Sequence, residues 1–181
     1  LSYIPVTAVE MGLSKNSFWI GTEDSGFYLV KFRDDTFESY EIINIGEKFG
    51  IGYDNVQNVY EDKDGVVWVS TFGKGVFKLT PDGEKENTYS HFIQFSTQNG
   101  LQNNFIKQVF QDWEGNYWIA TYGNGLAFSA DEAFTFLFQD IAALNGNILS
   151  IEESATTIWL GGENVIARIE KLTNDVKIID H

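Results

Sequence analysis

An internal repeat constrains the fold of this chain more than any other feature of its sequence. Two copies, residues 54–79 (DNVQNVYEDKDGVVWVSTFGKGVFKL) and 104–128 (NFIKQVFQDWEGNYWIATYGNGLAF), match in register: Trp68 with Trp118, Gly65 with Gly115, Thr71 with Thr121 and Gly75 with Gly125. Two weaker copies surround Trp19 (residues 6–30) and Trp159 (residues 148–169). The four Trp residues are 49, 50 and 41 positions apart, a period typical of propeller blades and related arrays.

Each copy predicts three short strands, and the residues after it predict a fourth. In the second copy, Val56, Val59 and Tyr60 lie in a first strand, and Asp62 to Gly65 form a tight reversal. Strands over 66–71 and 76–79 follow, separated by a reversal at 73–75, and residues 89–95 alternate as a fourth strand. The strands are called A to D in this order. Because such a four-stranded sheet cannot cover its own faces, it must pack on neighbouring sheets, with the Trp of strand B between them.

The sequence therefore predicts an all-β fold, a partial β-propeller of four four-stranded antiparallel blades in one domain over residues 1–181. The predicted blades cover residues 1–45, 46–98, 99–143 and 144–181. Seventeen Gly and only two Pro among 181 residues, with 43% hydrophobic residues, favour a globular chain with many turns. The fourth blade is degenerate, since Gly162 replaces the repeated Thr and Ser154 to Thr156 replace the acidic turn.

Charge and composition exclude several classes of function. The net charge of −14 argues against a nucleic-acid partner, which would need a basic patch. No apolar run is long enough for a transmembrane helix, and we expect neither a signal peptide nor direct membrane insertion in this segment. The absence of Cys excludes disulfides and thiolate metal sites. Because the chain begins at Leu1 without a Met, we expect a piece of a longer protein or a trimmed product.

The repeat resembles the two-component regulator propeller repeat. The shared pattern is D-x-x-G-x-x-W-[IV]-x-T-x-G-x-G, followed by a G-L-x-x-N element at Gly100, Leu101 and Asn104. This resemblance implies seven-bladed propellers, often two in tandem, in the extracytoplasmic sensing half of hybrid histidine kinases. It implies a periplasmic part of a membrane-anchored bacterial receptor, with other receptor domains as partners. The chain holds fewer blades than one such propeller.

An enzymatic reading is open but weaker. The D-x-x-G-x-x-W element also resembles the Asp box of sialidase-type propellers, but a sialidase-like site needs an Arg cluster, and the chain has only Arg33 and Arg168. Asp62, Asp64, Asp112 and Glu114 occupy equivalent points of a repeated turn, which favours a role in turn formation. We therefore predict no catalytic residues, no metal site and no cofactor.

The five Trp residues divide into two groups. Trp19, Trp68, Trp118 and Trp159 are repeat positions, and we expect all four in the core. Trp113 stands at a variable turn position, where the second copy has Lys63, and we expect it to be exposed.

The B–C and D–A loops of a propeller open on one face, and they carry the most ligand-like residues of this chain. The predicted ligand-binding residues are Phe72, Lys74, Asn103, Asn104, Tyr122 and Asn124. Aromatic rings beside amide side chains suit sugars, and binding residues collect in loops on rigid scaffolds. The alternative for Phe72 and Tyr122 is packing over the blade edge.

The sequence thus predicts a non-catalytic sensing segment with a small glycan as ligand. A structural scaffold that docks other protein domains is the first alternative, and a glycan-active enzyme is the second. Since the first and last blades each leave an apolar face open, we also expect self-association.

Overall fold

The computed structural model describes residues 3–83, 88–131 and 133–179, and within them the chain is all-β. It divides into two compact units, residues 1–95 and 96–181. Each unit holds two four-stranded antiparallel sheets whose strands follow one another in chain order. The predicted fold class, four-stranded antiparallel blades of a partial propeller, is confirmed. The assignment of all 181 residues to one domain stays a prediction.

The first unit contains the sheets of blades one and two. Blade one is built from β1 (Val6–Met11), β2 (Ser17–Thr22), β3 (Phe27–Phe32) and β4 (Tyr40–Asn44). A short 3₁₀ helix over Gly46–Phe49 leads to blade two, built from β5 (Val56–Glu61), β6 (Val67–Thr71), β7 (Val76–Pro81) and β8 (Tyr89–Phe95).

The second unit repeats this arrangement with blades three and four. Blade three is built from β9 (Ile106–Gln111), β10 (Tyr117–Thr121), β11 (Leu126–Ser129) and β12 (Thr135–Leu137). After a 3₁₀ helix over Ala142–Leu144, blade four follows as β13 (Ile148–Glu153), β14 (Thr157–Gly162), β15 (Ile166–Glu170) and β16 (Val176–Ile179). None of the helices in the described ranges has the length and apolar character needed to cross a membrane.

Strand A of every blade carries a register shift after its first residues, for example between Val56 and Asn58. In a regular strand, residues three apart would point to opposite faces. The extra residue of a bulge changes this alternation, so Val56 and Val59 are both fully buried in one core. The spacing of three between the apolar residues of strand A is thus explained by a bulge that the sequence analysis did not predict.

Within each unit, strand A of the second blade packs against strands A and B of the first, and side chains of strand C complete the shared core. In the first unit, Val56 and Val59 join a core with Trp19, Phe27 and Leu29. In the second unit, Trp118 and Leu126 share a core with Ile148 and Ile151. The Trp of strand B therefore fills the space between sheets, as predicted, in both units.

Buried acids close the A–B turns of blades two and three. Asp62 accepts hydrogen bonds from the backbone N–H groups of Asp64 (2.9 Å) and Val66 (3.0 Å), and from Trp68 Nε1 (3.2 Å). Asp112 accepts from the Asn116 N–H (2.8 Å) and from Trp118 Nε1 (2.8 Å). These two carboxylates therefore have the expected turn-forming role. Asp64, in the same turn as Asp62, is exposed.

The repeated Thr and Gly residues shape the B–C loops. Thr71 Oγ1 donates to the Gly75 carbonyl (2.8 Å) and accepts from the Lys74 N–H (3.2 Å), and Thr121 makes the same pair of contacts in blade three. Gly125 has φ 71°, and a Cβ there would lie 2.3 Å from the Leu144 carbonyl oxygen. This position accepts only Gly because the backbone before the next blade passes against it.

The expectation that Trp159 lies in the core is wrong. Its side chain is 37% exposed, whereas Trp19, Trp68 and Trp118 are buried. Trp68 is the second-blade Trp of the first unit, as Trp159 is of the second. Its indole donates to Asp62 and stacks on Phe95. Blade four has Ser154 at the position of Asp62, so its Trp lacks that anchor. Trp113 is 73% exposed, as predicted.

Candidate functional site

The two predicted site residues of the first unit, Phe72 and Lys74, both lie in the B–C loop of blade two. The ring of Phe72 is half exposed. Lys74 forms an ion pair with Asp54 (2.8 Å) from the D–A loop, and its carbonyl accepts from Gln94 Nε2 (2.9 Å). Phe72 is therefore accessible to a ligand, while Lys74 is already engaged in joining two loops.

Three of the four predicted site residues of the second unit lie together. Asn103 Nδ2 donates to the Tyr122 carbonyl and to Asn124 Oδ1 (2.9 Å), while Asn103 Oδ1 accepts from the Phe105 N–H (2.8 Å). This amide thus ties the D–A loop to the B–C loop and sets the position of Tyr122 and Asn124.

Asn104, the fourth predicted residue of this unit, contacts a different part of the chain. Its Oδ1 accepts from the Thr97 N–H (2.8 Å), and its Nδ2 donates to Thr97 Oγ1 (3.3 Å). These contacts shape the loop that precedes blade three. Asn104 is therefore directed to its own loop rather than to Tyr122 and Asn124.

Further amides, which the sequence analysis missed, extend this group. Gln139 Nε2 donates to the Asn124 carbonyl (3.4 Å), Asn145 Nδ2 donates to the Gln139 carbonyl (2.6 Å), and Asn147 Nδ2 donates to Glu163 (2.8 Å). The amide face is defined here as Asn103, Tyr122, Asn124, Gln139, Asn145 and Asn147. Only the recurrence of Asn in the residues before blades three and four could have indicated it from sequence.

Tyr122 is the aromatic member of the amide face. Burial raises the pKa of its phenol above the ordinary value, because a charged phenolate is disfavoured away from water. The hydroxyl is therefore neutral at physiological pH and can both donate and accept a hydrogen bond. A partly buried ring with a polar end, set among amides, suits a ligand that presents both C–H surface and hydroxyl groups.

A cavity of about 320 Å³ opens elsewhere in the second unit, beside the A–B turn of blade three. Its walls combine apolar and polar groups: Asp112, Glu114, Asn116, Trp118, Phe128, Leu137, Lys171, Leu172 and Asn174. No sequence signal pointed to it, because Glu114 and Lys171 are 57 positions apart and belong to different blades.

Lys171 is the central charge beside this cavity. Its ammonium group forms ion pairs with Glu114 (2.8 Å) and Glu153 and lies 5.8 Å from the centre of the Trp113 ring. Burial alone would lower the pKa of Lys171, but the hydrogen bonds to Glu114 and Glu153 outweigh it and raise the pKa. The charge is thus neutralised within the protein, which favours a structural role for this cluster.

Acidic side chains are the most numerous charged groups of the chain. Among residues 3–83, 88–131 and 133–179, no group of three or more His, Cys, Asp or Glu side chains could hold a metal ion. The two Asp-box carboxylates, Asp62 and Asp112, are buried and bonded to their own turns.

Comparison with known proteins agrees with the repeat. Residues 50–73 match the family model described as "Two component regulator propeller". This match covers the copy around Trp68 and confirms the resemblance inferred from the repeated pattern. No curated protein matches the chain significantly.

Solved structures share the fold over nearly the whole chain. The extracellular domain from B. thetaiotaomicron that is named for the hybrid two component system BT4673 has a TM-score of 0.69 at 19% identity, covering 97% of this chain and 24% of that one. The corresponding domain of BT3049 has a TM-score of 0.68 at 22% identity, covering 100% and 29%. A Bacteroides caccae protein of unknown function has a TM-score of 0.61 at 12% identity, covering 99% and 62%. The chain thus spans about a quarter of the first two structures.

Proposed function

We propose that this chain is a non-catalytic sensing segment of a two-component receptor, located outside the cytoplasm, and that its amide face binds a small neutral glycan. The likeness of its fold to extracellular domains of hybrid two component systems supports the sensing role. The match of residues 50–73 to the regulator propeller family supports the same role.

The observation that carries the glycan proposal is the convergence of Tyr122, Asn103 and Asn124. A sugar offers hydroxyl groups that both donate and accept, and amide side chains match them because each amide also does both. The Tyr122 ring offers apolar surface to the C–H face of the sugar. Asn103 uses both Nδ2 hydrogens and accepts at Oδ1 within the protein, so it fixes the positions of Tyr122 and Asn124, and little freedom is lost there on binding.

The charge of the chain favours a neutral glycan over an acidic one. A net charge of −14 repels anionic ligands through the field of the whole protein. Among the site residues proposed in the first unit, Lys74 is already paired with Asp54, so it offers an anion little free charge.

The hydrogen bonds of the Asp-box carboxylates support the proposal that this segment is not catalytic. A glycosidase needs two carboxylates about 5–10 Å apart that face the substrate. Asp62 and Asp112 instead accept hydrogen bonds from backbone and indole N–H groups, which leaves them unsuited to proton transfer.

A direct binding experiment tests the proposal. The chain is screened against a panel of neutral oligosaccharides, and each glycan that binds is titrated by calorimetry with the wild type, Tyr122→Ala and Asn124→Ala. Each substitution should weaken binding by roughly 1–3 kcal/mol, through lost stacking area or unpaired ligand hydroxyls. No product should form on long incubation.

Two control variants locate the site. Asp64→Ala changes an exposed side chain in an A–B turn of the first unit, outside the amide face, and should leave affinity unchanged. Glu114→Gln changes the cavity beside Lys171 and should also be silent. If Glu114→Gln abolishes binding while both loop variants bind normally, the ligand occupies the cavity and the amide face is not the site.

A further inference from the structure

The cavity beside the A–B turn of blade three corresponds to a place that an aromatic ring fills in the first unit. There, Trp19 and Leu29 of blade one share a core with Tyr89, which begins strand D of blade two. The Tyr89 ring lies 6.3 Å from the Trp19 ring between centroids and is buried, and the charge of Glu61 is near its phenol group. One ring from the second blade thus completes the core beside the Trp of the first blade.

The strand registers identify the corresponding place in the second unit. Tyr89 pairs with Pro81, three residues beyond the strand C partner of the repeated Trp. Three residues beyond the corresponding partner in blade four stands Lys171, and both Lys171 and Asn174 line the cavity. Residues 170–176 (EKLTNDV) contain no aromatic side chain. This turn therefore supplies no counterpart of the Tyr89 ring.

The apolar wall of the cavity shows the effect of the missing ring. Leu29 and Phe128 are equivalent, since each is the strand C partner of the Trp in the first blade of its unit. Leu29 is 3% exposed, whereas Phe128, although larger, is only half-buried and lines the cavity together with Leu137. Apolar surface that a ring covers in the first unit is therefore accessible to a ligand in the second.

The charged groups around the cavity favour a ligand that donates hydrogen bonds or carries a positive charge. Asp112 and Glu114 line the cavity from blade three, and Lys171 lines it from blade four. Because Lys171 is paired with both Glu114 and Glu153, one cation stands against three carboxylates here among the described residues. The net charge of −14 adds to this negative field. A ligand carboxylate would therefore be repelled.

We infer that the cavity binds a small aromatic phenol or amine, with its ring in the place that corresponds to Tyr89 and its donor group toward the carboxylates. The ring packs on Trp118 and Phe128, and the exposed Glu114 side chain accepts from the donor group. The volume of about 320 Å³ is at the lower end of the range of about 300–1,000 Å³ for ligand pockets, which suits a single ring. This site is separate from the amide face and does not depend on the glycan proposal.

The first test uses three probes of similar shape and different charge: tyramine, p-cresol and p-hydroxyphenylacetate. Each is titrated into the isotope-labelled chain at neutral pH and followed by NMR. One molecule of tyramine should bind per chain, about tenfold more tightly than p-hydroxyphenylacetate, the effect of reversing one charge near the protein surface. The indole N–H signal of Trp118 should shift with tyramine and p-cresol, and those of Trp19 and Trp68 should not.

The second test fills the cavity. Leu137→Trp enlarges a side chain of the cavity wall and should weaken tyramine binding at least about tenfold. Phe136→Trp is the matched control, because neighbouring side chains of β12 point to opposite faces of the strand, and it should bind tyramine as the wild type does. Far-UV circular dichroism of each variant checks that it is folded.

The third test removes a charge from the cavity rim. Glu114→Gln should reduce the preference for tyramine over p-hydroxyphenylacetate about threefold, the effect of one exposed carboxylate. The matched control is Asp64→Asn, which changes the acid at the equivalent position of the turn in blade two and should leave this preference unchanged.

The fourth test creates the cavity a second time. Tyr89→Ala removes the ring from the first unit, so the chain should bind two molecules of p-cresol, and the Trp19 indole signal should then shift as well. If this variant is unfolded in isolation, p-cresol should restore the folded form, because it binds that form alone.

Specific outcomes overturn the inference. A Trp118 signal that does not move with tyramine or p-cresol up to their solubility limits contradicts it. So does p-hydroxyphenylacetate that binds as tightly as tyramine, or a folded Leu137→Trp chain with wild-type affinity. An unchanged preference in Glu114→Gln would refute the role of the rim charge. A Tyr89→Ala chain that gains no second site and is not restored by p-cresol would refute the correspondence between the two units.

Discussion

Three Trp residues of the second unit stand in different environments, and truncating each to Ala gives the sharpest test of the packing described above. Trp118 is buried, packs edge-on against Phe128 with ring centroids 4.9 Å apart, and donates to Asp112. Removing a buried Trp side chain costs about 3–5 kcal/mol. The buried Asp112 carboxylate also loses a donor, which adds about 1 kcal/mol. Trp118→Ala should therefore lower the free energy of unfolding by roughly 4–6 kcal/mol.

The same substitution in blade four should cost much less. Trp159 occupies the equivalent strand position, but part of its surface already contacts water, and its Nε1 has no hydrogen-bond partner among the described residues. We expect Trp159→Ala to cost roughly 1–2 kcal/mol from lost apolar burial. Trp113 is exposed and chiefly loses its contact with the Lys171 ammonium, so Trp113→Ala should cost about 0.5–1 kcal/mol.

Urea denaturation followed by far-UV circular dichroism measures these differences, because the three residues belong to the same compact unit and report on one transition. Protein concentration is kept low so that association does not contribute to stability. The packing argument is refuted if Trp159→Ala destabilises as strongly as Trp118→Ala. It is also refuted if Trp113→Ala destabilises as strongly as Trp118→Ala.

Two further predictions concern backbone fit and alkaline pH. Gly125→Ala places a methyl group against the Leu144 carbonyl and should lower the free energy of unfolding by at least about 3 kcal/mol in the same assay. The control is Gly50→Ala, where φ is similar (73°) and the surrounding space is open. It should cost only about 1 kcal/mol, from backbone strain. Burial, with Glu61 nearby, raises the pKa of the Tyr89 phenol in the folded chain. The neutral phenol therefore contributes its full stabilisation below the unfolded pKa of about 10. This stabilisation is lost as the pH rises above that value. Tyr89→Phe should flatten the fall in unfolding free energy between pH 10 and 12, and an unchanged slope would contradict the burial of this phenol.

The candidate site could be predicted from sequence only in part. Asn103, Tyr122 and Asn124 were found because they stand at fixed places in repeated loops, and the structure brings them together. Asn104 had the same sequence signal but turns to Thr97, since the direction of a loop side chain depends on contacts that the repeat does not encode. The cavity beside Lys171 escaped prediction because its lining comes from two blades.

The sequence by itself determined the strands, their order and the reason for the repeated turn residues. Periodic Trp, Thr and Gly positions act locally: the copies in blades two and three each supply their own turn acid, Thr hydroxyl and Gly, so the meander of blade two follows from residues within a few positions of one another. The match between copies was enough to count four sheets.

Only the tertiary structure decided which copies of a repeated residue are buried. Trp118 and Trp159 occupy the same position in the repeat, and so do Val59 and Val9, yet in each pair one is buried and the other is exposed. The hydrophobic effect acts on the surface that a neighbouring sheet removes from water, and a repeat specifies the surface of a blade without specifying whether a neighbour covers it.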